Sequence, residues 1–443
     1  MSRTARGPGR QDASVPAAVL MLVAALVLWG GLPAAQAEPT QDPAAASGHA
    51  YQAVGPAVVG AGSQAQAPLL LPGIHLDTFA LGAQSDRDDA GTSKYYRIAV
   101  GNGQRVHAAA TIAAPPYVDG VPGGTDELGL AVTFLTAGGD VCEDSGIDDV
   151  GQWQTGDGPI TSSVVSGVMS FDGCPGEELF LRVTRTGSRA NDSPLPVEIQ
   201  VAIEPAGVGG GSPAVTEEIE DDGAAPVPPA QDEPFTAGRS FATAPEVAPG
   251  SYVLELVPGE VGLVRIPVQE GQRLRWRVEV TSQPEGAGEL ALRVTNAARE
   301  QVTAGGGSWR MTPDDRVAGG GMTTPVDRGN RSSELSSVAS AWLPGMQTVL
   351  LQRLQRPADA EPAGEEPVTV VLTLEVEGEV AENAPEGSVL ELGETTLERG
   401  PLASLGIEAS WGRLAMFAGA GVLTVLGLLA GIAGVLVLRL RRP

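Results

Sequence analysis

At 443 residues the chain is long enough for two or three domains that each bury a core. Its formal net charge of −26 argues against nucleic acid as a partner, because an acidic surface repels phosphate instead of releasing its counterions. Aromatic residues make up only 4%, so the expected cores rest on Val, Leu, Ile and Ala.

Residues 1–37 read as a secretory signal. Arg3, Arg6 and Arg10 supply a basic start, Ala17 to Trp29 an uncharged apolar run, and Ala35-Gln36-Ala37 a small-x-small cleavage site. Residues 38–60 are rich in Ala, Gly, Pro and Gln without apolar period, which predicts a flexible lead-in.

A first all-β domain is expected over 61–205. Tyr96, Ile98 and Val100 alternate before a Gly-containing turn, and Val106, Ala108, Ala110 and Ile112 alternate after it, the two-residue period of half-buried strands. This pattern predicts a hairpin. Cys142 and Cys174 are the only cysteines, and in an exported chain they predict a disulfide. Residues 206–236 carry three consecutive glycines, the acidic run from Glu217 to Asp222 and a proline cluster, the composition of an extended linker.

A second domain, 237–377, repeats the first. Arg97-Ile98-Ala99-Val100-Gly101-Asn102-Gly103-Gln104-Arg105 returns as Arg265-Ile266-Pro267-Val268-Gln269-Glu270-Gly271-Gln272-Arg273, six identities in nine positions. Glu127-Leu128-x-Leu130-x-Val132-Thr133 likewise returns as Glu289-Leu290-x-Leu292-x-Val294-Thr295. An acidic stalk is expected over 378–413. Leu414 to Leu438 is uncharged and long enough to span a bilayer, and Arg439, Arg441 and Arg442 in the tail 439–443 place its end inside and both β-domains outside. Gly427 and Gly431 have the spacing of a helix-dimer face, although a lipid-facing role fits an Ala/Gly-rich span equally well.

The order Pro-Gly, strand, Gly-containing turn, Arg-Ile-x-Val-x-x-Gly-Gln-Arg, strand, Glu-Leu-x-Leu-x-Val, long loop, Pro-Gly, closing strand resembles the bacterial pre-peptidase C-terminal β-sandwich domain. Both repeats look more specifically like ectodomain segments of actinobacterial membrane-anchored proteins that often carry a von Willebrand factor A-type domain. The resemblance implies two tandem antiparallel, jelly-roll-like β-sandwiches acting as non-catalytic modules. No Asp-x-Ser-x-Ser metal-adhesion motif accompanies it.

The chemistry that can be read is sparse. No His-Glu-x-x-His or Gly-x-Ser-x-Gly occurs, and His49, His75 and His107 read as solvent-facing, so no enzyme activity, cofactor or catalytic residue is expected. The acidic clusters Asp86 to Asp89 and Asp140 to Asp149 lack calcium-loop spacing and read as solvated charge. The 304–331 loop joins Trp309 to Arg310, Arg316, Arg328 and Arg331 in an otherwise acidic ectodomain. It is the candidate site for an anionic wall polymer or an envelope protein, with capping of the core by Trp309 as the competing reading. Three functions stay open: an envelope binding or scaffolding protein, an accessory subunit of a membrane secretion or wall-synthesis complex, and a hydrolase with an unrecognised site.

Overall fold

The computed structural model describes most of residues 49–393. Outside the described residues lie 1–48, 81–91, 118–119, 122–127, 144–151, 155–157, 188–193, 209–212, 214, 216–221, 303–308, 314–316, 357, 359–365, 383, 386–387 and 394–443. The expected signal, the span Leu414 to Leu438, the basic tail, the Asp86 to Asp89 cluster and Arg316 all fall there. Among the described residues no helix is long and apolar enough to cross a membrane.

The described chain is all-β. Its first half forms β1 (Leu69–Leu70), β2 (Gly73–Phe79), β3 (Thr92–Ala99), β4 (Arg105–Ala114), β5 (Leu128–Leu135), β6 (Gln152–Gln154), β7 (Gly158–Val165), β8 (Glu178–Thr186) and β9 (Leu195–Glu204). One sheet has the order β2-β9-β4-β7 and the other β1-β3-β8-β5-β6. Val106, Ala108, Ile112, Val197 and Ile199 from the first sheet share one apolar cluster with Tyr96, Ile98, Leu130, Leu181 and Val183 from the second. Alternation is the cause: each strand turns every second side chain towards the opposite sheet.

The second half repeats this plan in β10 (Gly250–Leu256), β11 (Val261–Val268), β12 (Arg273–Ser282), β13 (Leu290–Thr295), β14 (Trp309–Met311), β15 (Ala318–Met322), β16 (Gly345–Arg353) and β17 (Val368–Glu377). The orders β10-β17-β12-β15 and β11-β16-β13-β14 match the first half strand for strand, apart from the added edge strand β1. Short helical turns at Arg328–Ser332, Ser336–Ala339 and Ser340–Trp342 precede β16.

The expected hairpin is corrected. β3 pairs with β8 whereas β4 pairs with β7 and β9, so the repeated turn carries the chain from one sheet to the facing one. Alternation on both sides of the turn reflects a shared core approached from opposite sheets. The turn also explains its own sequence. The Gln104 side chain accepts from the Gly101 N–H at 2.6 Å, and Gln272 accepts from the Gln269 N–H at 3.0 Å, so the repeated glutamine closes the loop. The preceding Gly103 and Gly271 have φ of 77° and 89°, a region that favours glycine.

Three segments expected to be free are folded against the sheets. Within the 38–60 lead-in, Ala57 bridges Leu76 in parallel and Tyr51 is buried, because the segment satisfies its backbone on the β2 edge instead of by its own side-chain pattern. Near the end of the 206–236 linker, the Ala224 N–H donates to the Trp276 carbonyl and the Phe235 N–H to the Val253 carbonyl. The 378–413 stalk starts by returning to the first sheet pair, where Glu391 bridges Ile203 and Leu390 is buried near Ala202. Together with both sheet pairs, these segments belong to one compact unit.

Cys142 and Cys174 form a disulfide with Cα atoms 5.7 Å apart, joining the loop after β5 to the loop before β8. Their separation of 32 residues sets the loop entropy the bond removes from the unfolded chain, worth about 3 to 4 kcal/mol in the chain-entropy model. Reduction should therefore lower the thermal midpoint without dissolving the four sheets. Comparing circular-dichroism melts with and without reductant, alongside thiol labelling of the native protein, checks this.

Candidate functional site

The strands β4 and β9 bury both faces. Their inward residues form the first core, while His107, Ala109, Thr111 and Ala113 on β4 and Glu198, Gln200, Ala202 and Glu204 on β9 point the other way and are also buried. The second sheet pair covers them with the turn Asn296 to Gln301 and the helical turns around Arg331 and Trp342.

His107 sits at the centre. Its Nε2 lies 2.9 Å from Glu204 Oε2 and its Nδ1 lies 3.0 Å from Glu300 Oε1. Arg331 donates to Glu204 Oε1 at 2.5 Å, approaches His107 Nε2 at 3.3 Å, and stacks its guanidinium 3.9 Å over the Trp342 ring. Trp342 stacks on His107 with centroids 5.5 Å apart and donates its indole N–H to Glu300 Oε2 at 3.1 Å. Asn296 donates to the same oxygen at 2.7 Å.

Two carboxylates bracket one imidazole, and an ionised carboxylate can only accept. Satisfying both contacts needs both ring nitrogens protonated, which makes His107 an imidazolium. The cluster is then neutral, with His107 and Arg331 against Glu204 and Glu300. Burial opposes the charge on His107, but its bonds to Glu204 and Glu300 outweigh burial and raise its pKa above the ordinary 6.5, against the repulsion of Arg331. Burial likewise opposes ionisation of Glu204 and Glu300, and their bonds to His107, helped by Arg331, hold both below the ordinary 4.5.

A second group lies beside the first on the same sheet face. Arg299 donates to Glu198 and, at 3.3 Å, to Thr111 Oγ1, and its guanidinium lies 4.2 Å over the Phe241 ring. Glu198 also accepts from the Tyr51 hydroxyl at 3.1 Å and the Val54 N–H at 2.8 Å, so the N-terminal segment is tied into the same contact. Burial is the main reason the Tyr51 hydroxyl titrates well above its ordinary range. Arg299 has φ of 65°, the one non-glycine residue with positive φ among those described. Asn296 supports that turn by accepting from the Ala298 and Glu300 N–H groups.

These charges are paired and largely shut off from solvent, with Arg331 the most exposed of them. What they do chemically is fasten two surfaces, since removing one member of such a buried pair strands its partner's charge at about 3 to 5 kcal/mol. The reading of His107 as solvent-facing is thereby corrected. His49 is half exposed, 3.7 Å from Glu260, and the His75 Nε2 lies 2.8 Å from the Leu71 carbonyl.

The residues singled out in the 304–331 loop are dispersed. Trp309 is on β14 and meets Trp276 edge to face at 5.0 Å, packed against the second core. Arg310 is exposed and donates to Glu289 at 2.8 Å. Arg328 bonds both oxygens of Glu270 at 3.1 and 3.0 Å, and Arg331 belongs to the buried cluster. The expectation of a locally basic free surface is thus corrected for Arg328 and Arg331, whose charges are spent inside the chain. Asp140 is exposed, and among the described residues no group of His, Cys, Asp or Glu is arranged to hold a metal ion.

No family model matches the chain, and no curated protein matches it. Among solved structures, a protein of Parabacteroides distasonis thought to be secreted shows 8% identity over 70% of this chain and 89% of its own, with a TM-score of 0.17. A triple jelly-roll protein of an archaeal virus shows 10% identity over 69% and 60%, with a TM-score of 0.14. The ANX2 ectodomain of Arabidopsis thaliana shows 7% identity over 68% and 89%, with a TM-score of 0.16. At these scores the similarity says nothing about fold or activity.

Two outcomes follow from this geometry. The contribution of His107, whose pKa is raised, is complete below 6.5 and is lost as pH rises through its folded value. Those of Glu204 and Glu300, whose pKa values are depressed, are present above 4.5 and are lost as pH falls through their folded values. Stability from this cluster should therefore be greatest between 4.5 and 6.5 and decline on both sides, and His107→Phe should flatten the alkaline decline in a series of melts against pH. Trp309→Ala should cost about 2 to 3 kcal/mol in denaturant unfolding, by deleting part of the contact with Trp276.

Proposed function

We propose that the chain is a single-pass membrane protein whose non-catalytic ectodomain holds two jelly-roll modules outside the cell as one docked block, serving to contact or scaffold other components of the envelope. The observation that carries this reading is the buried network of His107, Glu204, Glu300 and Arg331, because its charged groups are consumed in holding the two sheet pairs together. Support for two modules comes from the strand order that recurs between the halves. Support for the anchor comes from the uncharged run Leu414 to Leu438 and the arginines after it.

With Arg328 and Arg331 engaged, an envelope protein fits as partner better than an anionic wall polymer. Protease added to wall-stripped cells should remove the folded block and leave a small membrane-bound fragment. An ectodomain protected until the membrane is permeabilised would overturn the orientation. His107→Ala with Glu300→Ala should release the halves as separately melting units while leaving the anchor in place, and loss of envelope association in that variant would tie the role to the docked state.

A further inference from the structure

The described part of the chain ends on the first sheet pair. Glu391 bridges Ile203 beside the end of β9, and Gly393 lies against Pro72, just before β2 begins. Registers place many other features at that same end: the Gly101 to Gln104 turn, the starts of β4 and β8, and the ends of β3, β5 and β7. The corresponding end of the second sheet pair, with its Gln269 to Gln272 turn, lies alongside, because the helical turn Arg328–Ser332 binds Glu270 through Arg328 and Glu204 through Arg331.

This shared end carries large apolar side chains in water. Phe171 is 95% exposed, Leu71 64%, Val141 62% and Val380 52%. They sit at fixed places. Val141 bridges Leu135 and adjoins Cys142, and Phe171 lies in the tight turn between Met169 and Cys174, so the Cys142–Cys174 disulfide clamps the two loops that present them. Leu71 leads into Pro72, where Gly393 packs, and Val380 follows the end of β17 beside the Gly271 turn. Loops this well held do not expose a phenylalanine for want of a place to fold it, and four exposed apolar residues at one end of the block mark a contact surface.

We propose that this end of the block faces the bilayer and dips Phe171, Val141 and Leu71 into the interfacial layer of a neutral lipid surface. The inference rests on the reading of Leu414 to Leu438 as the membrane anchor. The occupant follows from where the chain goes: residues 394–413 connect the docked Gly393 to that run, a tether of at most roughly 70 Å that leaves from this end and no other. The first sheet pair thereby reaches the membrane alongside the second, although it comes first in sequence. Asp172 and Asp140 flank the apolar tips, so anionic headgroups would be repelled and the contact should favour zwitterionic lipid.

The test uses full-length protein reconstituted into phosphatidylcholine vesicles with brominated acyl chains. Phe171→Trp is compared with Val59→Trp, which adds an indole on the flank of the same sheet pair, where Val59 is 78% exposed. The indole at 171 should lose about half its added emission to the bromines, as expected for a side chain sunk to the headgroup boundary, and the one at 59 should lose almost none. Equal quenching at both positions, in protein that floats with the vesicles and resists carbonate extraction, overturns the inference while leaving the anchor intact. Protein that does not float overturns the anchor reading and this inference with it. An indole at 171 that is unquenched by lipid but shielded from aqueous quencher in native membranes, or shielded in proportion to protein density, assigns the surface to a protein partner or a second copy and rejects the lipid contact.

Discussion

Everything else in this molecule depends on a charge-balance constraint on one sheet face. β4 and β9 carry His107, Glu198 and Glu204 on the side away from their own core, and the second sheet pair buries them there. Charges removed from water need partners of opposite sign. Glu300, Arg299 and Arg331 supply them, although Nε of Arg299 and Nε of Arg331 find no hydrogen-bond partner, and they come from two separate connections of the second pair, the turn after β13 and the helical turn before β16. The two halves therefore fit in one relative placement, since a slide of a few ångströms would strand several ions at once. Apolar packing adds area but less direction, with Ala113 against Phe241, Leu263 and Leu350 in one buried cluster and Ala202 with Trp342 and Leu343 in another.

Strand alternation made the inward faces readable from the sequence, and the repeat made the second half readable from the first. The outward faces misled for a physical reason. His107 and Thr111 on β4, or Glu198, Gln200 and Glu204 on β9, have the spacing of a solvated strand face, and period alone cannot tell water from a buried partner of complementary charge. A weak signal existed in Ala109 and Ala113, small apolar residues where a solvated face would be polar. The lead-in was illegible because Ala57 and Val58 dock through backbone groups on an edge strand, which leave no side-chain period. Cys142 and Cys174 were legible as a pair because an even count, in a chain whose start reads as a secretory signal, constrains thiols irrespective of fold.

The candidate loop shows how composition and placement diverge. Arginines close together in sequence suggested one basic patch, yet Arg328 and Arg331 reach carboxylates on different sheet pairs, Glu270 and Glu204. A three-residue step along this tight helical turn returns to the same side of it, and from there the two long side chains reach different carboxylates. In an acidic chain, arginine is the scarce charge, and its use inside the fold leaves less of it for partners.

The repeat raises a problem that the structure answers by asymmetry. Two sheet pairs of the same strand order are joined here through unlike surfaces, and heterologous stacking of that kind has no natural end. The position equivalent to His107 in the second half is Arg275, also outward-facing. Instead of waiting for another module, Arg275 donates to the Gly223 carbonyl at 2.6 Å, and residues 222–224 lie over β12 and the glycines of β15. A Cβ at Gly320 would stand 2.3 Å from the Asp222 carbonyl oxygen, so that glycine lets the connecting segment lie so close, while Gly321 makes room for the Trp276 ring, which a Cβ there would meet at 2.6 Å. The segment that links the two halves in sequence thus covers part of the face that corresponds to the β4 and β9 docking face, while Glu375 and Glu377 on β17 stay partly exposed beside it.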